Sequence, residues 1–316
     1  MSKEVIITGS SGLVGSRIVD CLPRFSFHGV AREVNPEYPG RENLKKYSRY
    51  DILNVKELEQ LIGESPAEVI VHCAAFFPGV DQLEPQRIQG RDSEAWNVNV
   101  KASKSLAEIC EKHGRHLILA GTTYVFDGRN GPYTEGDDPN LCNPKIMSFY
   151  GIVKREQEKV VADNCSSYSI FRFEMPYRTL FTKPDFARRL LNLFVDGKLT
   201  SMFSDQSITP IFLDELARAV EILIESKAQG VFHIGSADIT SPYLFAVDLI
   251  TRLYGSEAAS IIQKANYSET PLPEGKAQRP LHGGVLMGKI VKLGYEPKTN
   301  SMMIQDFARG FSRIQI

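Results

Sequence analysis

Tyr150-Gly151-Ile152-Val153-Lys154 sets a phenol and a primary amine four residues apart in a stretch with helical apolar spacing. Residues at that spacing share one face of a helix, so the phenol and the ammonium can converge on one site. A phenol with a pKa of about 10 releases its proton poorly at neutral pH, and a neighbouring cation lowers that value by favouring phenolate. The pair therefore suits proton transfer to or from a reacting oxygen. Upstream, Leu119-Ala120-Gly121-Thr122-Thr123 ends an apolar run on hydroxyls. Open α/β sheets bind ligands at the carboxyl ends of their strands, which would bring Thr122 or Thr123 beside the pair.

A second constellation opens the chain. Val5 to Thr8 reads as a buried strand, followed at once by Gly9-Ser10-Ser11-Gly12-Leu13-Val14-Gly15 and an amphipathic helix. Glycines there allow a tight turn, close approach of a pyrophosphate to backbone amides, and close helix–strand packing, with the positive helix end facing the phosphates. Gly9, Ser11, Gly12, Leu13, Val14 and Gly15 are the expected contacts. The second strand ends at Ala31, followed by Arg32 and Glu33. An acidic residue there would hold the ribose hydroxyl of NAD, whereas an arginine accommodates the 2′-phosphate of NADP. Arg32 favours NADP, with NAD the alternative.

The elements that must hold these groups alternate. Strands are expected at Val5 to Thr8, Ser26 to Ala31, Glu68 to Cys73, Arg115 to Gly121 and Tyr168 to Phe173. Helices are expected at Leu13 to Leu22, Val55 to Ile62, Ser93 to Lys112 and Ser148 to Ala162. That rhythm predicts an α/β fold with a doubly wound parallel (Rossmann) sheet. Residues 1–175 would form the dinucleotide-binding domain. Residues 176–316 would form a smaller α/β substrate-binding region, with some segments returning to the sheet. Its helices are expected at Phe186 to Val195, Leu213 to Glu225, Pro242 to Tyr254 and Met302 to Phe311, with strands at Thr200 to Phe203 and Gly230 to Ile234.

Thirty-seven Lys and Arg against 38 Asp and Glu leave a net charge of -1, too little to draw a bulk polyanion, so no nucleic-acid partner is expected. No apolar run approaches the roughly 20 residues that span a bilayer, and the start lacks a signal-peptide pattern. Five widely spaced cysteines fit reduced thiols, so a cytoplasmic protein without membrane attachment is expected. His72 and Cys73 adjoin but would face opposite sides of a strand, and no metal site is expected. His113 and His116 read as surface residues near turns.

The G-x-x-G-x-x-G spacing resembles the extended short-chain dehydrogenase/reductase family. Thr122-Thr123-Tyr124-Val125-Phe126-Asp127-Gly128, Pro132-Tyr133, Glu135, Asp138-Pro139, Tyr150 with Lys154 and Glu158, Phe171-Arg172, Asp205-Gln206, Thr209-Pro210, Gly230-Val231-Phe232-His233 and Arg279-Pro280 resemble the dTDP-4-dehydrorhamnose reductase family. The resemblance implies hydride transfer from NAD(P)H to the C4 ketone of a nucleotide-linked deoxysugar. Thr122, which falls three positions before Val125, would bond the carbonyl oxygen; Tyr150 would give the proton; Lys154 would hold the nicotinamide ribose. It further implies cofactor contacts at Asp51, Ile52, Ala74, Ala75, Asn99 and Pro176. Substrate contacts are implied at Thr123, Asp205, Gln206 and Arg279, the last for phosphates, and there is room for a homodimer. The chain departs from that family at Thr123, at Phe76-Phe77-Pro78-Gly79 and at Met175, where the family has an aspartate, a different loop and a tryptophan. Val69-Ile70-Val71-His72-Cys73-Ala74-Ala75 and Gln278-Arg279-Pro280 also resemble the regulatory β subunit of methionine adenosyltransferase, a binding partner rather than a catalyst. A nucleotide-sugar epimerase is a further alternative on the same scaffold.

Overall fold

The structure, a computed structural model, describes residues 2–33, 44–179 and 183–312. In chain order its strands are β1 (Glu4–Thr8), β2 (Ser26–Ala31), β3 (Leu44–Arg49), β4 (Val69–His72), β5 (His116–Ala120) and β6 (Tyr168–Arg172). Then come β7 (Glu174–Tyr177), β8 (Ser201–Phe203), β9 (Pro210–Phe212), β10 (Gly230–His233) and β11 (Gln263–Ala265). The longer helices are α1 (Leu13–Cys21), α2 (Val55–Glu64), α3 (Ala102–Lys112) and α4 (Phe149–Asn164). The second half adds α5 (Phe186–Val195), α6 (Leu213–Ser226), α7 (Pro242–Tyr254) and α8 (Asn300–Ser312).

Seven strands form one parallel sheet in the order β10-β6-β5-β4-β1-β2-β3. The chain starts in its middle, runs outward through β2 to β3, then returns to β4 and continues the other way. The reversal lies between β1 and β4, where Thr8 pairs with His72. In doubly wound sheets that switch point opens the ligand crevice. The expected Rossmann architecture is therefore present. Short pairs β7 with β9 and β8 with β11 stand outside the main sheet.

Alternation along the strands splits the core between two layers. Val5 and Ile7 pack with Ile18 and Val19 of α1 and with Leu216 and Val220 of α6. Ile6, between them, packs the other way with Leu58 and Ile62 of α2 and Leu106 of α3. Burial of each such side chain contributes about 1.5–3 kcal/mol.

One strand lies beyond the expected ones, and two expectations need correcting. β3 has no apolar run, only Leu-Lys-Lys-Tyr-Ser-Arg, because it closes an edge of the sheet and keeps Lys45, Lys46 and Arg49 in solvent. The single helix expected over Ser93 to Lys112 is interrupted by a π turn at Asn97–Lys101. His116 is not a surface residue: it is 2% exposed in β5, its ring bonded to Ser167 and Ser169.

The first helix is bolted to the second half of the chain. Arg17 makes a two-pronged contact with Asp214 of α6 at 2.6 and 2.7 Å. Arg178, fully buried just past β7, donates to Ser16 Oγ at 2.7 Å and to Asp20 at 2.9 Å. Removing one partner strands the other's charge in a low dielectric. Arg178→Met is expected to cost about 3–5 kcal/mol, read as a lowered urea midpoint at unchanged m-value.

Candidate active site

The glycine turn sits at the switch point. Gly9 adopts φ +70°, and a Cβ on it would lie 2.6 Å from the backbone nitrogen of Ala74, so only glycine lets the turn nest against the end of β4. Gly12 precedes the first turn of α1, and no side chain caps it. The leading amides of a helix have no partner inside the helix, so those around Leu13 and Val14 are offered to an anion. Ser11, Leu13 and Val14 are half-buried there, Gly12 is exposed and Gly15 is buried.

At the outer end, Arg32 is exposed one residue past β2. Its carbonyl accepts a bond from Arg49 Nε of β3 at 3.0 Å, which brings a second guanidinium into that neighbourhood. Arg49 escaped the sequence reading because its strand did. Asp51 is exposed and holds the Leu53 amide at 2.9 Å, Ile52 is buried, and Ala74 and Ala75 form the turn facing Gly9.

The carboxyl end of β5 carries the reactive trio. Thr122 is 4% exposed and accepts from the Tyr124 amide at 3.3 Å, capping the turn Thr123–Val125. α4 begins beside it. Ser148 accepts from the Gly151 amide at 3.1 Å, and a Cβ on Gly151 would lie 2.2 Å from the Tyr124 carbonyl oxygen. That missing Cβ lets the helix start close enough for Tyr150 to come beside Thr122, whose hydroxyl pulls the phenol pKa down against burial. Phe77 and Tyr124 flank the phenol ring, with centroids at 4.7 and 5.9 Å.

Lys154 is 3% exposed. Its Nζ donates to the Ala120 carbonyl at 2.7 Å and to Gln157 Oε1. Burial lowers its pKa to about 8, opposed by Glu158 and Cys73. The expectation that this ammonium lowers the tyrosine pKa is corrected. Burial pushes the Tyr150 phenol up to about 12, with Glu158 adding to the rise and only the Thr122 bond pulling it down. At neutral pH the phenol therefore holds its proton.

The remaining expected residues separate. Asn99 is fully buried on the π turn, with its amide spent on Phe76: Oδ1 accepts from the backbone nitrogen at 2.8 Å and Nδ2 donates to the carbonyl at 3.0 Å. Thr123 is fully buried and donates to Glu174 Oε2 at 3.2 Å, facing away from the cleft, so the expected substrate contact is corrected. Asp205 holds the amides of Tyr267 and Ser268 at 2.6 and 2.9 Å, and Gln206 is buried and donates to the Pro280 carbonyl at 3.0 Å. Both support the loop that carries Arg279 and are not free to meet a ligand. Arg279 donates to Asp81 at 2.8 Å and to the Ala277 carbonyl at 2.9 Å, and its charge acts on Tyr124. Pro176 is half-buried in β7, beside Met175, whose φ of +44° marks a break in register.

A switch-point glycine turn with a hydroxyl, a phenol and an ammonium at the end of β5 defines a dinucleotide-binding protein of the extended short-chain dehydrogenase/reductase kind. The chain belongs to the RmlD substrate binding domain family, whose profile matches residues 3–309. Methionine adenosyltransferase 2 subunit beta of Rattus norvegicus is 26% identical over 305 residues, 94% of this chain and 84% of that protein. A probable low-salt glycan biosynthesis reductase of Haloferax volcanii is 27% identical over 277 residues, 86% of this chain and 87% of that one. Among solved structures, a dTDP-4-dehydrorhamnose reductase of Clostridium acetobutylicum superposes with a TM-score of 0.77 at 27% identity, covering 99% of this chain and 100% of that one. The same enzyme of Bacillus anthracis, in complex with NADP, gives a TM-score of 0.75 at 23% identity, covering 97% of this chain and 99% of that one.

Behind the trio, Glu174 is 4% exposed and accepts from the Thr209 amide and hydroxyl at 2.7 and 3.1 Å. Burial raises its pKa from 4.5 to about 7 against those bonds. Between those values the folded protein binds more protons than the unfolded chain, so this group's contribution to stability falls as pH rises from 4.5 to about 7 and stays low above it. Glu174→Gln, neutral at every pH, is expected to flatten that decline in melting temperature. An unchanged pH profile would contradict the assignment.

Proposed function

We propose that this protein is an NADP-dependent reductase that delivers hydride to the C4 ketone of a nucleotide-linked deoxysugar, with NAD as an alternative cofactor. The observation that carries the reading is the placing of Tyr150 beside Thr122 at the carboxyl end of β5, with Lys154 one turn further along the same helix and bonded to the Ala120 carbonyl. The glycine turn fits a dinucleotide: Gly9 lets the turn nest against the end of β4, and the first turn of α1 is uncapped. Gly9, Ser11, Gly12, Leu13, Val14 and Gly15 would hold its pyrophosphate, and Arg32 with Arg49 the 2′-phosphate. Asp51, Ile52, Ala74 and Ala75 would border its adenosine, while Lys154, Tyr150 and Pro176 would border the nicotinamide ribose. Bound there, the cofactor supplies the hydride.

Thr122 would donate a hydrogen bond to the ketone oxygen, orienting the carbonyl and drawing charge from its carbon. Tyr150 would release its proton to the same oxygen as it becomes an alcohol, the phenol being protonated at neutral pH. Lys154, charged below about pH 8, would offset the phenolate left behind. Arg279, shared with Asp81, is the side chain suited to the substrate's phosphates. The proposal sets the reaction in the cytoplasm. Among the described residues no helix is long and apolar enough to cross a membrane.

A second reading, a cofactor-binding regulatory subunit, is favoured by the likeness to methionine adenosyltransferase 2 subunit beta along 94% of the chain. NADPH oxidation with a panel of nucleotide-linked 4-keto sugars separates the two. Turnover supports the reductase; tight NADPH binding without turnover supports the subunit. Tyr150→Phe is expected to cut kcat by about 10²–10⁴-fold at nearly constant NADPH affinity, and near-normal turnover would remove Tyr150 as the proton donor. Arg32→Ala is expected to weaken NADPH roughly tenfold or more and leave NADH almost unchanged in the same fluorescence titration.

A further inference from the structure

A run of buried polar side chains leads from the Lys154 ammonium to the glycine turn. Lys154 donates to Gln157 Oε1, and Gln157 Nε2 donates to Ser103 Oγ at 2.7 Å. Ser103 Oγ meets His72 Nε2 at 2.9 Å, and His72 Nδ1 meets Thr8 Oγ1 at 2.7 Å. Thr8 Oγ1 also accepts from the Ala74 amide at 3.3 Å, the same amide that a Cβ on Gly9 would strike. Thr8 is 1% exposed, and His72, Ser103 and Gln157 are fully buried. Four elements supply it: β1, β4 and α3 with one member each, and α4 with Gln157 and Lys154.

The directions are constrained. Gln157 must turn its oxygen to the ammonium, which leaves its NH₂ for Ser103. An amide at that place does not pass a proton along, and burial, with the Lys154 charge adding to it, depresses the His72 pKa to about 3 and keeps the ring neutral. The run is a scaffold and not a proton wire. The run lies in the buried interior, so each lost bond leaves a buried group unpaired.

We propose that Gln157 is a positioning residue for Lys154, and that His72, acting through Ser103, fixes Gln157, so that the aim of the ammonium and the shape of the glycine turn are set together. The inference rests on the reading of Lys154 as the group that holds the cofactor ribose. The other titratable groups around Lys154 are Glu158 on its own helix, paired with Arg172 of β6; Tyr150 one turn earlier; and His72 and Cys73 at the end of β4. Gln157 and the Ala120 carbonyl are its direct acceptors. Losing one of them disfavours the charged form, and a carboxylate in its place favours it.

The test reads the Lys154 titration by NMR in the full-length, cofactor-free protein carrying ¹⁵N-labelled lysine, with Lys154→Met to assign the signal. Gln157→Met is expected to lower the midpoint by about one pH unit, Gln157→Glu to raise it, and His72→Phe to lower it by less than Gln157→Met does. Unchanged midpoints overturn the proposal, and so do shifts of the same sign in both Gln157 variants, because a packing role alone would disturb both alike. Should Gln157→Met fail to fold, the signs for Gln157→Glu and His72→Phe decide. NADPH binding is measured separately by fluorescence: its absence in the wild-type protein would overturn the function above while leaving the lysine titration readable.

Discussion

An ammonium withdrawn from water at the end of a parallel sheet is the constraint around which the site is built. Stripping such an ion of its hydration costs several kcal/mol unless acceptors and an opposite charge surround it. Lys154 is 3% exposed, and its surroundings supply the Ala120 carbonyl, Gln157 and the nearby Glu158 carboxylate. Glu158 is itself buried and needs Arg172, which meets it with Nε at 3.0 Å and a terminal nitrogen at 2.7 Å. Arg172 in turn lies over the Phe126 ring at 5.1 Å and beside His233 at 3.5 Å. One charge on α4 thereby bears on residue types on β6 and β10 and draws a backbone carbonyl from β5.

The same burial works in the opposite sense on the acids. Tyr150 and Glu174 both bind their protons more tightly than they would in water, because their charged forms are the ones that suffer from desolvation. The lysine, with its pKa lowered only to about 8, stays charged at neutral pH while the phenol is held neutral, so the cleft floor carries the ammonium and no phenolate. Such a floor suits an uncharged carbonyl. Further charge lies at the rims, with Arg32 and Arg49 at one end and Arg279 with Asp81 at the other.

Much of this was legible before any coordinates. Strands covered on both faces are continuous apolar runs, and the glycine turn and Tyr150–Lys154 announce themselves by spacing. β3 was not legible because an edge strand with one thin apolar contact carries no run to detect, and Arg49 went with it. The π turn was hidden because apolar spacing across Ser93 to Lys112 stays near-helical while the hydrogen bonding slips. Thr123 was placed on the substrate side by resemblance, whereas neighbours along an extended chain face opposite ways and the structure turns it to Glu174. Asp205 and Gln206 look reactive as a sequence pair but are consumed by the loop they tether.

In the turn at Asn97–Lys101, the amide of Ala102 reaches back five residues to the Asn97 carbonyl, one further than in an ordinary helix. Such a turn accommodates a surplus residue, and here it rotates the Asn99 amide onto the backbone of Phe76, next to the Phe77 that walls the phenol. Excising a single residue from this stretch would let the coil rewind into a smooth cylinder with better local bonding. It would also swing Asn99 off its anchor. Chain length at this point is thus restrained together with the identity of Asn99, and a chain shortened here would keep its helix while losing the wall of its cleft.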